Sequence, residues 1–448
     1  MDINCENHFY DKYVTSTFDI AYALSKALDL VNPLINNHHQ RVAFIAGSIA
    51  REAGYTDKEV ENVILASLVH DIGVVVEKEF HELVGEEETY ERELSHVLVG
   101  SYLLKDLNIF PDISQLVKYH HTPYKIEKNL LSETEAVPEL AYIIHLADRI
   151  DIMLLRDKPA LEQRNHVIKK ISTAPKNKFH PMHSEAFLRL AEREHFWFDI
   201  EEQDKYPLIK YSFRFSHINM TLNEILETAK LLSRIIDFRC VFTATHSAGV
   251  AAVAQHLAEL SGMTEIECKA AQIAGYLHDI GKLAIPSEIL YKNDKLNDEE
   301  IQILRKHPYF TYTILNHFQI FDTIKDWAAF HHEFLNGTGY PFHLSGHKLC
   351  KGSRIMTVAD IFTAMTEERP YRTCEPKENF INIIRDMVKK DLIDSEIVEL
   401  LINNYDAVFC TREKAQKIAN EEFNLFRKNI LSNEACHKNK NFINVLNT

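Results

Sequence analysis

The segment Tyr276-Leu277-His278-Asp279-Ile280-Gly281-Lys282 contains a His-Asp dipeptide that also stands 208 residues earlier, as His70-Asp71. The same spacing relates three further pairs: Asp29 and Asp237, His38 and His246, and the capping boxes Thr56–Glu59 and Thr264–Glu267. Later pairs are 211 or 212 residues apart: His96 and His307, His120-His121 and His331-His332, and Asp148 and Asp360. Self-similarity of this length predicts a duplicated domain with small loop insertions.

The composition favours helices. Gly and Pro number only 13 each among 448 residues, and apolar residues recur at helical spacing, as in Phe18, Ala21, Leu24 and Leu28. Together with the repeat, these patterns predict an all-α fold of two tandem helical bundle domains joined by a helical linker. We place the N-terminal domain at residues 1–200, the linker and a leading helix at 201–236, the second domain at 237–412, and a C-terminal helix and tail at 413–448.

Charge and cysteine usage narrow the class of protein. The formal net charge of −15 argues against binding of a DNA or RNA duplex, because such binding depends on Lys and Arg that displace counterions from phosphates. Seven scattered cysteines without a CxxC pair are typical of a reducing compartment. The start Met1–Glu6 lacks the features of a signal peptide, and no apolar stretch approaches a membrane span. We expect a cytoplasmic protein with no membrane partner, and a homodimer is among the compatible oligomeric states.

The second copy places many imidazole and carboxylate groups in otherwise apolar helices, where burial without partners would be costly. A shared metal centre is the simplest explanation, since successive helices of a bundle direct their inner faces to one point. The donors are nitrogen and oxygen without a thiolate, which suits Fe, Mn, Co or Zn, and they outnumber what one ion needs. We therefore predict two ions bridged by Asp279. The residues concerned are His246, His278, Asp279, His307, His331, His332 and Asp360.

Two adjacent metal ions suit hydrolysis of a phosphodiester by a metal-activated hydroxide. Lys282 lies one turn beyond Asp279, where its cation would stabilise charge on the phosphoryl oxygens. An equally simple interpretation of Lys282 is a solvent-facing residue at a helix C-terminus.

The second copy resembles the HD-GYP phosphodiesterases, a branch of the HD hydrolase superfamily that linearises cyclic dinucleotides. The resemblance covers about residues 237–375, and the first copy resembles a degenerate HD domain. The matching stretches, in the order that the family shows, are Tyr276–Lys282, the name motif within His331–Pro341 (HHEFLNGTGYP), Arg354–Asp360 and Arg369-Pro370-Tyr371-Arg372.

The resemblance implies catalytic roles for Asp279 and Lys282 and a site for two or three divalent ions, Fe or Mn. The number is open because Asp237 stands where the family commonly has Glu, which helps to hold a third ion in some relatives. Asn336 stands where Asp is common, which bears on the loop beside the substrate. The implied metal ligands are Asp237, His246, His278, Asp279, His307, His331, His332 and Asp360. The implied substrate-binding residues are Lys282, Tyr340, Arg369 and Arg372.

The first copy keeps the metal-directed residues Asp29, His38, His70, Asp71, His96, His120, His121 and Asp148, so a second metal site is chemically feasible. However, Val74 stands where the second copy has Lys282, and His121 runs into Thr122-Pro123-Tyr124 without a glycine-rich loop. We therefore predict a structural or regulatory domain.

The predicted substrate is 3′,3′-cyclic GMP-AMP (3′,3′-cGAMP) or cyclic di-GMP (c-di-GMP), opened to the linear 5′-phosphorylated dinucleotide. Two alternatives stay open. An HD-type nucleotidase or triphosphohydrolase would share the ligand pattern but lack the name loop, and a non-catalytic signalling scaffold would bind cyclic dinucleotides without cleaving them. The intact loop argues against the former, and the complete ligand set against the latter.

Overall fold

The computed structural model describes residues 12–30, 37–76, 90–105, 107, 109–110, 112–125, 136–239, 245–290, 292, 294–318, 321, 324–367 and 374–438. Contacts within the chain divide it into two compact units, which consist chiefly of residues 16–218 and residues 219–427. The division falls inside the predicted linker of residues 201–236, and each unit contains one copy of the repeat.

The N-terminal unit is a helical bundle. Its core is formed around α2, which packs against α3, α6 and α8. The helices are α1 Thr17–Asp29, α2 His38–Glu52, α3 Asp57–Leu68, α4 Tyr90–Leu104, α5 Ile113–Lys118, α6 Ala141–Met153, α7 Ala160–Ser172, α8 Pro181–Ala191, α9 Glu194–Glu201 and α10 Lys205–Ser212.

The C-terminal unit repeats this plan, with α12 packed against α13 and α18, and α16 packed against α17. The predicted start of the C-terminal segment, residue 413, falls inside the continuous helix α21. The helices are α11 Leu222–Arg239, α12 His246–Leu260, α13 Glu265–Leu277, α14 Ser287–Leu290, α15 Asp298–Leu304, α16 His307–Leu315, α17 Ile324–Ala329, α18 Lys351–Thr366, α19 Lys377–Lys389, α20 Ser395–Asn403 and α21 Tyr405–Lys438.

The prediction of an all-α fold is confirmed. Both capping boxes begin their helices as the repeat predicts: Thr56 exchanges hydrogen bonds with Glu59, and Thr264 with Glu267. In the described part of the chain the strands are limited to β1 (Lys12–Ser16) and β2 (His217–Thr221), which pair in one small sheet. Among the described helices, none combines the length and the apolar character that crossing a lipid bilayer requires.

A glycine follows each His-Asp dipeptide after one intervening residue, and close packing requires it. A Cβ atom on Gly281 would lie 1.9 Å from the carbonyl oxygen of His307, and one on Gly73 would lie 2.0 Å from that of His96. In each unit, therefore, the absence of a side chain lets the next His-bearing helix, α16 or α4, approach the His-Asp turn.

Candidate metal centres

The C-terminal unit brings together seven predicted ligands whose side chains are described. Five of them are buried: His246, His278, Asp279, His307 and His331. They come from the ends or inner faces of successive elements. His246 and His307 begin α12 and α16, His278-Asp279 and His331-His332 follow α13 and α17 at the bundle centre, and Asp360 lies within α18.

The two carboxylates link the imidazoles. Asp279 Oδ2 lies 3.2 Å from His278 Nε2, and Asp279 Oδ1 lies 3.3 Å from His307 Nε2. Asp360 Oδ1 lies 3.2 Å from His246 Nε2 and 4.0 Å from His278 Nε2. Asp279 thus has an oxygen on each side of the cluster, as a bridging ligand requires.

The ligands fall into two groups. One nitrogen each from His307, His331 and His332 lie within 4.8 Å of one another, and so do ligand atoms of His246, His278 and Asp360. Each group has the size of a single-ion site, and Asp279 contacts a member of both groups.

Backbone carbonyls set the orientation of the rings. His278, His307 and His331 each donate Nδ1–H to the carbonyl oxygen three residues earlier, at 2.7–2.8 Å. The neutral rings consequently carry a lone pair on Nε2. The Nε2 atoms of His307 and His331 face each other at 3.2 Å, and among the described residues the buried Nε2 of His278 forms no hydrogen bond, although Asp279 Oδ2 lies 3.2 Å away. Nitrogen lone pairs held in this way fit divalent metal ions.

The pKa values of three ligands are shifted toward the protonation states that bind metal ions. Burial lowers the pKa of His307 to about 3, so this ring is neutral at neutral pH. Burial opposes ionisation of Asp279, but Lys282 and the neighbouring imidazoles hold its pKa well below the usual range. Burial also opposes ionisation of Asp360, yet the hydrogen bond from His246 and the nearby rings lower its pKa.

Two residues beside the cluster support its ligands. Lys282 Nζ donates to Asp279 Oδ2 at 2.5 Å. Glu367, which sequence reasoning missed, lies with both carboxylate oxygens 3.1 Å from His246 Nδ1. It directs the other nitrogen of His246 into the centre, as a carboxylate behind a ligating histidine does.

The name loop folds back over the metal cluster. Tyr340 donates its backbone N–H to the carbonyl of His332 at 3.1 Å, and the two rings lie 4.9 Å apart. Buried Glu333 accepts the N–H groups of Phe342 and Leu344 at 2.7 and 2.9 Å, which fixes the far end of the loop.

The hydrogen bonds of Asn336 show how the name loop accommodates Asn where the family commonly has Asp. Its side-chain oxygen accepts from the backbone and hydroxyl of Thr338 at 3.0 and 2.7 Å, and its amide nitrogen donates to the carbonyl of Lys390 at 3.1 Å. An aspartate could fill only the accepting role, so the amide adds a bond at this turn.

Arg305 was also missed from the sequence. Its guanidinium lies 4.4 Å from the centre of the Tyr340 ring, an arrangement typical of a cation–π contact. Arg305 and Tyr340 together line a pocket of about 480 Å³ beside the metal cluster, with Gln302, Lys306, Tyr309, Phe310, Pro341 and His343.

Three predicted residues lie outside what the structure describes. Asp237 belongs to α11, but its side chain is not among the described ones, and Arg369 and Arg372 fall in residues 368–373. Their roles as ligand and as substrate contacts stay predictions.

The N-terminal unit assembles a corresponding cluster around Asp71. Asp71 Oδ2 lies 3.1 Å from His70 Nε2, and Asp71 Oδ1 lies 3.6 Å from both His96 Nε2 and His120 Nε2. As in the other unit, His70 and His120 donate Nδ1–H to carbonyls three residues earlier, at 2.8 Å. His38 Nε2 lies 3.7 Å from Asp71 Oδ2, the oxygen that His70 also contacts.

A further imidazole, from His39, which was not predicted as a ligand, belongs to this cluster. His39 Nε2 lies 4.0 Å from Asp71 Oδ2, while its Nδ1 is 2.7 Å from Asp29 Oδ1. Asp29 therefore contacts the cluster through His39. The backbone N–H of Asn37 occupies the second Asp29 oxygen at 3.1 Å.

A carboxylate hydrogen-bonds to Nδ1 of His38, as Glu367 does to Nδ1 of His246, but it comes from a different position in the repeat. Its Nδ1 lies 2.7 Å from Asp151 Oδ2, and Asp151 also accepts from Arg41 and Arg156. Asp151 follows Asp148 by three residues on α6, so it occupies the same helix face.

Arg149 changes the chemistry of the first cluster. One of its nitrogens, Nη2, lies 3.2 Å from Asp148 Oδ2 and donates to His121 Nδ1 at 3.1 Å. Neutral His121 must then carry its proton on Nε2, which donates to His96 Nε2 at 3.1 Å. In this half of the cluster, hydrogen bonds from the Arg149 guanidinium and from His121 Nε2–H therefore occupy ring nitrogens that could otherwise bind a metal ion. The second copy has Ile361 at the position of Arg149.

Comparisons with known proteins agree with the duplication. Two sequence-family profiles, both described as HD domain, match residues 35–153 and 230–397. A protein of Vibrio cholerae named 3'3'-cGAMP-specific phosphodiesterase 1 is 31% identical over 391 residues, which cover 86% of this chain and 90% of the relative. The chain belongs to the HD-GYP phosphodiesterase family. The resemblance predicted from the motifs is thereby confirmed.

This HD-GYP protein is also similar to a second sequence relative and to a solved structure. A Thermotoga maritima protein named cyclic di-GMP phosphodiesterase is 30% identical over 235 residues, 52% of this chain and 60% of the relative. The crystal structure of a cyclic GMP-AMP-specific phosphodiesterase of Vibrio cholerae has a TM-score of 0.60 and 20% identity, with 88% of this chain and 98% of that chain covered. At this identity the likeness shows the fold.

Proposed function

We propose that this HD-GYP protein hydrolyses 3′,3′-cGAMP at the centre in its C-terminal unit. Water would add across one 3′–5′ phosphodiester, leaving a 3′-hydroxyl on one nucleoside and a 5′-phosphate on the other. The observation that carries the choice of substrate is the relative that matches through both copies, since it is named for 3'3'-cGAMP. The Thermotoga maritima relative, named for cyclic di-GMP, covers about half of this chain.

The proposed centre holds two divalent ions, Fe or Mn, for which its nitrogen and oxygen donors are suited. Such ions would supply Lewis acidity toward the phosphodiester and lower the pKa of water. Asp279 would contribute to both ions, and Asp237 is the proposed ligand of a third. The other proposed ligands are His246, His278, His307, His331, His332 and Asp360.

Lys282 and Tyr340 would handle the substrate. Lys282 is only a fifth exposed and lies beside Asp279, so its charge would reach phosphoryl oxygens bound at the ions. Tyr340 would present a ring for base stacking, and the Arg305 guanidinium on that ring adds positive charge beside the dianionic ligand. Arg369 and Arg372 are proposed to contact the phosphates.

The N-terminal domain is proposed to be structural or regulatory and to hold one ion at most. Its proposed ligands are His38, His39, His70, Asp71 and Asp148, with His120 beside them. At His96 and His121, the buried Arg149 supplies the positive charge that a second ion would otherwise bring. A divalent ion there would face electrostatic repulsion from the guanidinium.

The test is to incubate the Fe- or Mn-loaded full chain with 3′,3′-cGAMP, its 2′,3′-linked isomer and c-di-GMP, and to follow linear products by chromatography. Asp279→Ala serves as the control. We expect 3′,3′-cGAMP to be cleaved fastest, with turnover lost in the control. Preferred cleavage of c-di-GMP would overturn the substrate assignment, and failure to cleave any of them in metal-loaded protein would overturn the enzymatic one.

A further inference from the structure

A second kind of histidine cluster lies in the N-terminal unit, apart from the residues of the His-Asp centre. His180 is the N-cap of α8, and His183 follows within its first turn. Their rings lie 4.4 Å apart, and Glu139, just before α6, places Oε1 3.9 Å from His180 Nε2. One ligand atom from each of the three residues lies within 4.8 Å of the other two.

Hydrogen bonds within the cluster leave ring nitrogens unsatisfied. The hydroxyl of Tyr55 lies 2.7 Å from Glu139 Oε1 and 2.9 Å from His183 Nε2. The hydroxyl donates its proton to Glu139 and can accept one from His183 Nε2, so these two contacts satisfy each other. Among the described residues, the buried Nδ1 atoms of His180 and His183 have no hydrogen-bond partner, and His183 is 0% exposed. Buried imidazole nitrogens without partners call for a ligand.

We propose that Glu139, His180 and His183 bind a zinc ion, with Tyr55 as a fourth ligand or as the hydrogen-bond partner of Glu139. A mixed set of imidazole nitrogen and carboxylate oxygen is a common environment for Zn²⁺, which needs ligand distances of about 2.0–2.2 Å. Glu139 is exposed, so movement of its side chain toward the two rings would bring the carboxylate to such a distance.

The protonation states of the rings suit this role. Burial lowers the pKa of His183 to about 3, and burial also lowers that of His180. Both rings are therefore neutral at neutral pH, so no proton has to be displaced before a metal ion binds.

An ion at this position would join elements that are distant in sequence. Glu139 precedes α6, the helix that carries Asp148 and Asp151, whereas both histidines belong to the start of α8. Phe179, next to His180, already contacts the ring of His145 on α6. The zinc would hold the start of α8 against the start of α6, and it would stabilise the folded N-terminal unit by mass action.

The experiment measures zinc binding by the full chain, with its HD centres loaded with manganese, by equilibrium dialysis and elemental analysis. We expect one zinc per chain in the wild type, and its loss in His180→Gln and His183→Gln while manganese content stays the same. The matched control is His166→Gln, an exposed histidine on α7 of the same unit, which should keep the zinc.

Thermal unfolding gives a second readout. Zinc should raise the unfolding midpoint of the wild type and of His166→Gln, but leave those of His180→Gln and His183→Gln unchanged. Because His180 is only partly buried, its variant is expected to fold even if His183→Gln does not. Undiminished zinc binding in His180→Gln, or the absence of any zinc equivalent in the wild type, would overturn the proposal.

Discussion

Replacement of Gly281 by alanine should disable the C-terminal centre through geometry alone. The added Cβ atom would lie 1.9 Å from the carbonyl oxygen of His307 and 2.5 Å from the backbone nitrogen of Thr311, whereas ordinary contact begins at 3.4 Å. These are backbone atoms, so α16 or the His-Asp turn has to move by about 1.5 Å, which is the ordinary contact distance of 3.4 Å less the 1.9 Å to the carbonyl oxygen of His307.

A displacement of this size separates His307 from Asp279, which now lie 3.3 Å apart. Misplacement of catalytic groups by 1 Å costs about 100-fold in rate, so kcat should fall by about 100-fold or more. Overpacking should also reduce the free energy of unfolding by roughly 1–3 kcal/mol. The assay is cleavage of 3′,3′-cGAMP by protein with measured metal content, with unfolding followed in urea.

Gly73→Ala is the matched control, because its Cβ atom would lie 2.0 Å from the carbonyl oxygen of His96 in the other unit. It should destabilise its own unit similarly while the kcat of folded protein stays near the wild-type value. If Gly281→Ala kept both wild-type kcat and wild-type metal content, the described approach of α16 to the His-Asp turn would be refuted.

Three further substitutions probe single contacts. Lys282→Met should lower kcat by about 10²–10³ with unchanged metal content, because one electrostatic contact to the transition state is lost; unchanged kcat would show that Lys282 does not stabilise charge in the transition state. Glu367→Ala should weaken metal binding about 10–100-fold by releasing His246, as metal titration would reveal, with Glu367→Gln intermediate. Arg149→Ile, which copies Ile361, should raise the metal stoichiometry of the first cluster, and an unchanged stoichiometry would contradict the role of Arg149.

The repeat explains why so much of the architecture could be predicted. Corresponding histidines and carboxylates at nearly constant offset identify the same helices in both units, and a capping box identifies where α3 and α13 begin. In the described residues the predicted ligands do converge, because each sits at the end or inner face of a bundle helix.

Residues that support the ligands escaped prediction for a physical reason. Asp151 and Glu367 both orient the first histidine of their copy, yet they lie three and seven residues after the respective ligand Asp, so comparison of the copies does not align them. His39 was missed for a similar reason, because its counterpart in the second copy is Ser247, which is not a metal ligand type. Only Asp151 had a local signal, its spacing of three from Asp148 on one helix.

Arg149 shows a different limit of sequence reasoning. The dipeptide Asp148-Arg149 looks like an ordinary ion pair on a helix, and nothing in its spacing indicates that the guanidinium points toward His121. The consequence for metal binding depends on which ring nitrogen carries a proton. That follows from contacts between α6 and the residues after α5, which only the folded chain provides.

If the reaction takes place in the C-terminal unit, Asp279→Asn and Asp71→Asn should differ in single-turnover cleavage of 3′,3′-cGAMP. With enzyme in excess and metal content measured for each variant, we predict that Asp279→Asn forms no linear product and that Asp71→Asn still cleaves its bound substrate. Loss of cleavage in Asp71→Asn together with retention in Asp279→Asn would contradict the assignment of the catalytic centre.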